Sequence, residues 1–206
     1  MKKLASIVYW LGESLYLNIT NRCSNNCYFC LRKYKNGVDS FNLRIPNEPT
    51  SEKILAEIKE VMNKRHWKEI VFCGFGEPLE RLDTVLEVTK EIKKRYTIRV
   101  RVNTNGQGQL LYKDRDVVKE LAEAGVDKLS ISLNAHNKET YNCVCKPYFE
   151  NAFSEVLSFI EKAAKKNLKV EITVVTIPEV DIAKVREIST RIGVKFKIRE
   201  YIPCFW

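Results

Sequence analysis

No apolar stretch of this 206-residue chain approaches the ~20 consecutive residues that a membrane-spanning helix needs. The sequence also contains no low-complexity segment and no linker between differently composed halves. These absences exclude a helical membrane protein and a string of separate modules. With 45% hydrophobic and 30% charged residues, the chain has the composition of a globular protein, so we expect a single domain over residues 1–206.

Acidic residues are the scarcer charged class, 26 against 35 basic ones, which gives a net charge of +9. Such an excess can attract a polyanion. However, most lysines, among them Lys93, Lys94 and Lys165, lie on the solvated faces of predicted helices, so we do not expect nucleic-acid binding. The apolar run after Lys3 is short and is interrupted by Glu13, with no cleavage site beyond it. We interpret it as a leader into the first strand of a cytoplasmic protein.

Histidine is rare, with two residues, whereas cysteine is frequent, with seven. An odd number of cysteines does not suit a disulfide scaffold, and ligation or burial explains them better. Cys23, Cys27 and Cys30 form a C-x₃-C-x₂-C frame. Three thiolates can hold three irons of a four-iron cluster and leave the fourth iron open, which is typical of chemistry rather than of structural support. A zinc site with His66 or His136 as the fourth ligand remains the alternative.

Strand-like and helix-like patterns alternate along the whole chain. The predicted strands cover residues 14–20, 69–73, 97–103, 128–133, 169–175 and 195–201. The predicted helices cover residues 51–64, 82–95, 114–124, 151–165 and 180–192. Such alternation indicates an α/β fold with a parallel sheet, and the chain is shorter than the ~250 residues of an eight-fold barrel. A partial (β/α)₆ TIM-like open barrel fits the number of strands.

The unusual segments fall where predicted strands end, which is where working residues gather in parallel βα folds. The cysteines follow the first strand, and Gly74-Phe75-Gly76-Glu77-Pro78 follows the second. The next strands lead into Thr104-Asn105-Gly106, Asn134-Ala135-His136 and Thr176-Ile177-Pro178. A glycine permits close approach of the backbone, and a carboxylate accepts strong hydrogen bonds from an ammonium group.

The cysteine frame, with Phe29 directly before Cys30, resembles that of the radical S-adenosylmethionine (radical SAM) enzymes, whose core is a six-stranded open barrel. The resemblance implies a [4Fe-4S] cluster on Cys23, Cys27 and Cys30, with SAM on the open iron. It implies that Phe29 packs near the adenine and that Gly76 and Glu77, which match the family's G-G-E motif apart from its first glycine, bind the SAM amino group. The remaining candidates for contacts with SAM are Asn105, Ser132 and Asn134.

Within that family, residues 15–23, 74–78 and 132–135, with Tyr141 and Lys146-Pro147, are most similar to the TatD-associated radical SAM group. This similarity implies association with a TatD-type nuclease, and the family implies an external flavodoxin- or ferredoxin-type electron donor. The substrate, a small molecule or a protein, cannot be named. The compact length also resembles activases of glycyl-radical enzymes and deazapurine-type synthases. A non-catalytic zinc or Fe-S module is the alternative from another class.

Alternation within the strands predicts a polar barrel interior, because successive side chains point to opposite faces. The predicted interior carries more cations than acids, with Arg99, Arg101, Lys197 and Arg199 against Glu69 and Glu171. This excess indicates an anionic group inside, such as the SAM carboxylate or an anionic substrate; an internal ion-pair network is the alternative. Three further cysteines, Cys143, Cys145 and Cys204, are poorly spaced for an auxiliary cluster, and we expect no C-terminal domain to house one.

Overall fold

A computed structural model describes residues 5–202, so Cys204 lies outside the described residues. Nine strands are present in this part of the chain: β1 (Val8–Leu11), β2 (Ser14–Leu17), β3 (Gly37–Val38), β4 (Phe41–Asn42), β5 (Glu69–Phe72), β6 (Arg99–Thr104), β7 (Lys128–Ser132), β8 (Lys169–Val175) and β9 (Lys195–Arg199). The main sheet has the order β1-β2-β5-β6-β7-β8-β9. Strands β3 and β4 form a separate hairpin, within a segment for which no strand was predicted.

The six predicted strands all exist and pair in parallel, from β2 through β9. The predicted α/β class with an open barrel is therefore confirmed. The sheet does not close on itself, since β1 and β9 are its two edges. Strand β1 was not predicted. It pairs antiparallel with β2 across a two-residue turn in which Gly12 has a positive φ of 58°, a conformation that glycine adopts readily.

Seven helices connect or flank the strands in the described part: α1 (Ser51–Met62), α2 (Leu82–Arg95), α3 (Gly108–Leu111), α4 (Val117–Ala124), α5 (Lys138–Cys145), α6 (Ala152–Ala164) and α7 (Ile182–Ile192). Side-chain caps fix where several begin, because an unpaired backbone N–H needs an acceptor. Thr50 caps α1, Asp116 caps α4 and Asp181 caps α7. Gly125 and Gly193 end α4 and α7 in the left-handed conformation. Helices α3 and α5 were not predicted.

The apolar face of each strand packs under the helices and forms the core. Leu15, Ile70, Val100, Leu129 and Ile172 are completely buried there. The opposite, concave face of the sheet carries polar side chains, as alternation predicts. All parallel strands run in the same direction, so their carboxyl ends meet along one rim and bring the segments that follow them together. Within residues 5–202, no helix combines the length and apolar character that a bilayer crossing requires.

Candidate functional site

The three cysteines lie on a loop that follows β2, residues 21–30, here called the cysteine loop. Gly76 is packed against the start of this loop. A Cβ atom at position 76 would lie 2.4 Å from the carbonyl oxygen of Arg22 and 2.5 Å from that of Thr20, so only glycine fits. The next residue, Glu77, donates its backbone N–H to the Arg22 carbonyl at 2.8 Å. The segment after β5 therefore supports the cysteine loop through its backbone.

Glu77 is only 4% exposed, and its carboxylate accepts three hydrogen bonds from the protein. Oε1 accepts from Leu79 N at 3.0 Å and from the Thr104 hydroxyl at 2.7 Å, and Oε2 accepts from Asn105 N at 2.6 Å. Burial raises the pKa of Glu77 to about 7 despite these donors. A carboxylate has about four acceptor sites, so one remains for a ligand. Glu77, which is predicted to accept from the amino group of SAM, therefore also joins the ends of β5 and β6.

Asn105 contacts the cysteine loop directly. Its Nδ2 donates to Ser24 Oγ at 2.9 Å and lies 3.9 Å from Cys23 Sγ, while its Oδ1 accepts from Gln107 N. The side-chain amide of Asn105, which is predicted to contact SAM, thus already forms hydrogen bonds within the protein. Its position beside a cysteine sulfur shows that the segment after β6 holds the loop from a second side.

The carboxyl end of α5 supports the cysteine loop from a third side. Backbone N–H groups of the loop donate to α5 carbonyls, Asn26 N to Cys145 O and Tyr28 N to Val144 O. Below them lies a buried polar cluster in which Gln107 Nε2 donates to Asn25 Oδ1 and to the hydroxyl of Tyr141, at 2.7 and 2.9 Å. Asn25 Nδ2 donates to the same hydroxyl at 3.2 Å. Sequence reasoning missed these contacts, and the only available signal was the segment from Tyr141 to Pro147.

The three thiols have different environments. Burial raises the pKa of Cys23 to about 12, with the negative charge of Glu77 adding to the effect. Burial also raises the pKa of Cys30. By contrast, a hydrogen bond from the Cys145 thiol lowers the pKa of Cys27. Metal ligation requires thiolates, so loading of this site has to release protons. Cys145, discounted as an auxiliary-cluster ligand, is instead a neighbour of Cys27.

A single zinc ion and a four-iron cluster require different arrangements of the cysteines. Zinc needs its ligands to converge on one point at about 2.0–2.3 Å. In the described residues, no three His, Cys, Asp or Glu side chains converge in this way. A four-iron cluster does not require it, because each cysteine binds a different iron. His66 precedes β5 and so lies at the opposite end of the sheet, and His136 Nδ1 accepts a hydrogen bond from Asp181 N.

The remaining residues predicted to contact SAM are Phe29, Asn134 and Ser132, and each has a different environment. Phe29 is half-buried and packs edge-on against Tyr28, with ring centroids 5.5 Å apart. The Tyr28 hydroxyl donates to Glu179 Oε2 at 2.6 Å, which joins the cysteine loop to the loop after β8. Asn134 has a left-handed φ of 50°, and its Oδ1 accepts from Val175 N at 3.1 Å. Ser132 lies on the concave face.

Two of the concave-face cations are neutralised by acids. Arg101 pairs with Glu69 at 2.7 Å, and Lys128 pairs with Glu171 at 2.9 Å. Arg199 differs, since its guanidinium donates to Ser132 Oγ at 3.0 Å. Water reaches Arg199, yet desolvation by the surrounding protein lowers its pKa, as expected for a side chain lining a cleft. The concave face therefore contains both the predicted ion pairs and the predicted excess of cations over acids.

The sequence model of the Radical SAM superfamily matches residues 17–192. The chain belongs to the radical SAM superfamily. Curated relatives include the probable GTP 3′,8-cyclase of Methanocaldococcus jannaschii, 32% identical over 194 residues, and the GTP 3′,8-cyclase of Aliarcobacter butzleri, 31% identical over 199 residues. Those alignments cover 93% and 94% of this chain but only 59% and 56% of the relatives, so the chain spans little more than half of their length.

Two solved structures have the same fold. TYW1 with a lysine-pyruvate adduct superposes with a TM-score of 0.65 at 21% identity, over 93% of this chain and 66% of that one. Methylornithine synthase (PylB) superposes with a TM-score of 0.62 at 15% identity, over 92% of this chain and 53% of that one. The superfamily implies a [4Fe-4S] cluster and SAM. The two relatives carry the names GTP 3′,8-cyclase and probable GTP 3′,8-cyclase, and neither name refers to the TatD-associated group.

Proposed function

We propose that this chain is a radical SAM enzyme in which Cys23, Cys27 and Cys30 hold a [4Fe-4S] cluster with one open iron. A cluster held there would supply the electron for reductive cleavage of SAM to methionine and a 5′-deoxyadenosyl radical. The observation that carries the proposal is the support of the cysteine loop, from three sides, at the carboxyl rim of a parallel open barrel. Working sites of such folds lie at this rim.

The residues around the loop have positioning roles in this proposal. Gly76 allows the backbone after β5 to approach the loop, and the remaining acceptor site of Glu77 receives the SAM amino group. Asn105 fixes the loop beside Cys23, and its Oδ1, which accepts one hydrogen bond from Gln107 N, keeps a second acceptor site for the ligand. Ser132 and Asn134 are the proposed contacts from β7, and Phe29 the proposed contact for the adenine. Holding these groups in place before SAM arrives lowers the cost of binding.

Anaerobic reconstitution with iron and sulfide tests the proposal. We expect about four irons per chain, an EPR signal of the reduced protein that changes when SAM is added, and formation of 5′-deoxyadenosine. Cys27→Ala should lose all three properties. Cys143→Ala is the matched control, because Cys143 is exposed. Uptake of a single zinc ion, or a cluster that ignores SAM, would contradict the proposal.

The finer assignment to the TatD-associated group is part of the same proposal and rests on residues 15–23, 74–78 and 132–135. With it we propose a flavodoxin- or ferredoxin-type electron donor and association with a TatD-type nuclease. Co-purification with such a nuclease, and reduction of the cluster by each donor class, are the corresponding measurements.

A reaction on a purine nucleotide is the second candidate, related to the deazapurine-type alternative. It is favoured by relatives named GTP 3′,8-cyclase that align with more than nine-tenths of this chain. In this case GTP should stimulate formation of 5′-deoxyadenosine by the reconstituted protein, whereas guanosine should stimulate it less. Equal rates with and without GTP would remove this candidate.

A further inference from the structure

The exposed edge strand β9 carries three cations on one face. Lys195, Lys197 and Arg199 occupy alternate positions, so their side chains share a face. Phe196, between them, points the other way and lies under the guanidinium of Arg186 from α7, 4.7 Å from its ring centroid. The three cations therefore face the concave side of the sheet. We call them the β9 cation strip.

The neighbouring strand confirms this orientation. Strand β8 pairs in register with β9, Glu171 opposite Lys195 and Thr173 opposite Lys197. Thr173 and Glu171 contact the β7 residues Ser132 and Ser130 across the concave face. The top of the strip is fixed as well, because Arg199 donates to the Ser132 hydroxyl at 3.0 Å.

The strip is not neutralised by the protein. Within residues 5–202, no acid forms an ion pair with Lys195, Lys197 or Arg199, whereas Arg101 and Lys128 on the same face are paired with Glu69 and Glu171. The nearest acid in the paired strand, Glu171, is already bound to Lys128 at 2.9 Å and accepts from Ser130. Glu179, on the loop above, accepts from Tyr28. Three adjacent positive charges thus face the concave side without an ion-pair partner among residues 5–202.

We propose that the β9 cation strip binds the phosphate chain of a small, multiply phosphorylated substrate, with Arg199 placing that chain beside the cysteine loop. The inference rests on the proposed function and names its substrate class. Three alternate strand residues span about 13 Å, the length of a short phosphate chain rather than of a nucleic-acid tract. An arginine at the upper end supplies the planar donor pair that phosphate oxygens accept.

Position supports this class of ligand. The guanidinium of Arg199 donates to Ser132 at the carboxyl end of β7, so an anion on Arg199 lies at the rim that also carries the cysteine loop. Cations on an edge strand also prevent unwanted pairing with other sheets, which would explain lysines without any ligand. The two explanations differ in their consequences. Edge protection concerns aggregation and leaves phosphate affinity unchanged.

The test is calorimetric titration of the full chain with inorganic tripolyphosphate, at low and at physiological ionic strength. The variant is Lys195→Gln with Lys197→Gln and Arg199→Gln. The matched control is Lys162→Gln with Lys165→Gln and Lys166→Gln, three exposed lysines near the end of α6 that change the net charge equally. We expect the natural chain to bind tripolyphosphate at one site. The affinity of this site should be at least about hundredfold weaker in the β9 variant and should stay within about twofold of the natural value in the control.

Equal losses in the two triple variants would overturn the proposal, because binding would then follow net charge alone. Aggregation of the β9 variant with unchanged phosphate affinity would also overturn it in favour of edge protection. So would full displacement of tripolyphosphate by SAM, or tight binding of single-stranded RNA without binding of tripolyphosphate. The titration needs neither cluster nor SAM, so its failure is distinguishable from failure to form 5′-deoxyadenosine, which tests the proposed function.

Discussion

The two ends of the barrel rim are built differently. Around the cysteine loop, almost every polar group has a protein partner: Glu77 accepts three hydrogen bonds, and Tyr141 accepts two. Along β9, at the other edge, three cations have no acid partner within the described chain. The first region is fixed before any ligand arrives, whereas the second leaves its charges available. The cofactor half of the proposed site is therefore preorganised, whereas the cations of the substrate half remain free to bind the substrate.

The largest effect should come from removing Glu77. Glu77→Ala leaves the Leu79 and Asn105 N–H groups and the Thr104 hydroxyl without their acceptor, and each unsatisfied buried group is costly. We expect a loss of about 4 kcal/mol in the free energy of unfolding, measured by urea denaturation. Lys197→Ala, on the open edge, should change it by less than about 0.5 kcal/mol. Similar losses in both would contradict the contrast between the two regions.

A methyl group at position 76 should also lower the stability of the fold. Gly76→Ala brings a Cβ atom within 2.4 Å of the Arg22 carbonyl oxygen, and backbone atoms cannot move aside cheaply. We expect about 3 kcal/mol of destabilisation, typical of overpacking, together with reduced iron uptake on reconstitution. Full stability with full iron uptake would show that the cysteine loop is less fixed than the hydrogen bonds indicate.

The pH dependence of stability should reveal Glu77. Burial raises its pKa from 4.5 to about 7, so the folded chain binds more protons than the unfolded chain between these values. Stability contributed by this group is therefore complete below about pH 4.5, falls as the pH rises through the window, and levels off above about pH 7, with a total change of at most about 3 kcal/mol. Glu77→Gln should lack this fall in urea denaturation series, and parallel curves for the two proteins would contradict the prediction.

The smallest of these effects is expected below the cysteine loop. Tyr141→Phe removes the hydroxyl that accepts from Asn25 and Gln107, and should cost about 2 kcal/mol. Tyr28→Phe is the control, because the Tyr28 hydroxyl makes an exposed contact with Glu179 and should be worth less than about 1 kcal/mol. The reverse order in thermal or urea denaturation would place the firmer support on the outer side of the loop.

Much of the fold was readable from the sequence, because most parallel strands alternate apolar and polar residues and several helices begin at a capping side chain or end at a glycine. The hairpin of β1 was missed, since its short apolar run follows two lysines and resembles a leader. Helix α5 was missed because residues 138–145 are mostly polar and its partner, the cysteine loop, lies more than 100 residues away in the chain.

The site was predictable in position but only partly in role. Cysteine spacing and strand ends brought the right segments to one rim. Three-dimensional packing decides which partner a buried amide or carboxylate binds. The hydrogen bond from Asn105 to Ser24 could therefore not be predicted from the sequence. The same holds for Asn18, which is fully buried and donates to the carbonyls of Ser6 and Leu43.

The contact between Tyr28 and Glu179 joins the two halves of the rim. One partner belongs to the cysteine loop and the other to the loop that leads from β8 towards α7 and β9. A displacement on either side therefore stretches the same hydrogen bond. Any coupling that this hydrogen bond carries between the cleft beside β9 and the cysteine site must be reciprocal, so each ligand would change the affinity of the other by the same factor.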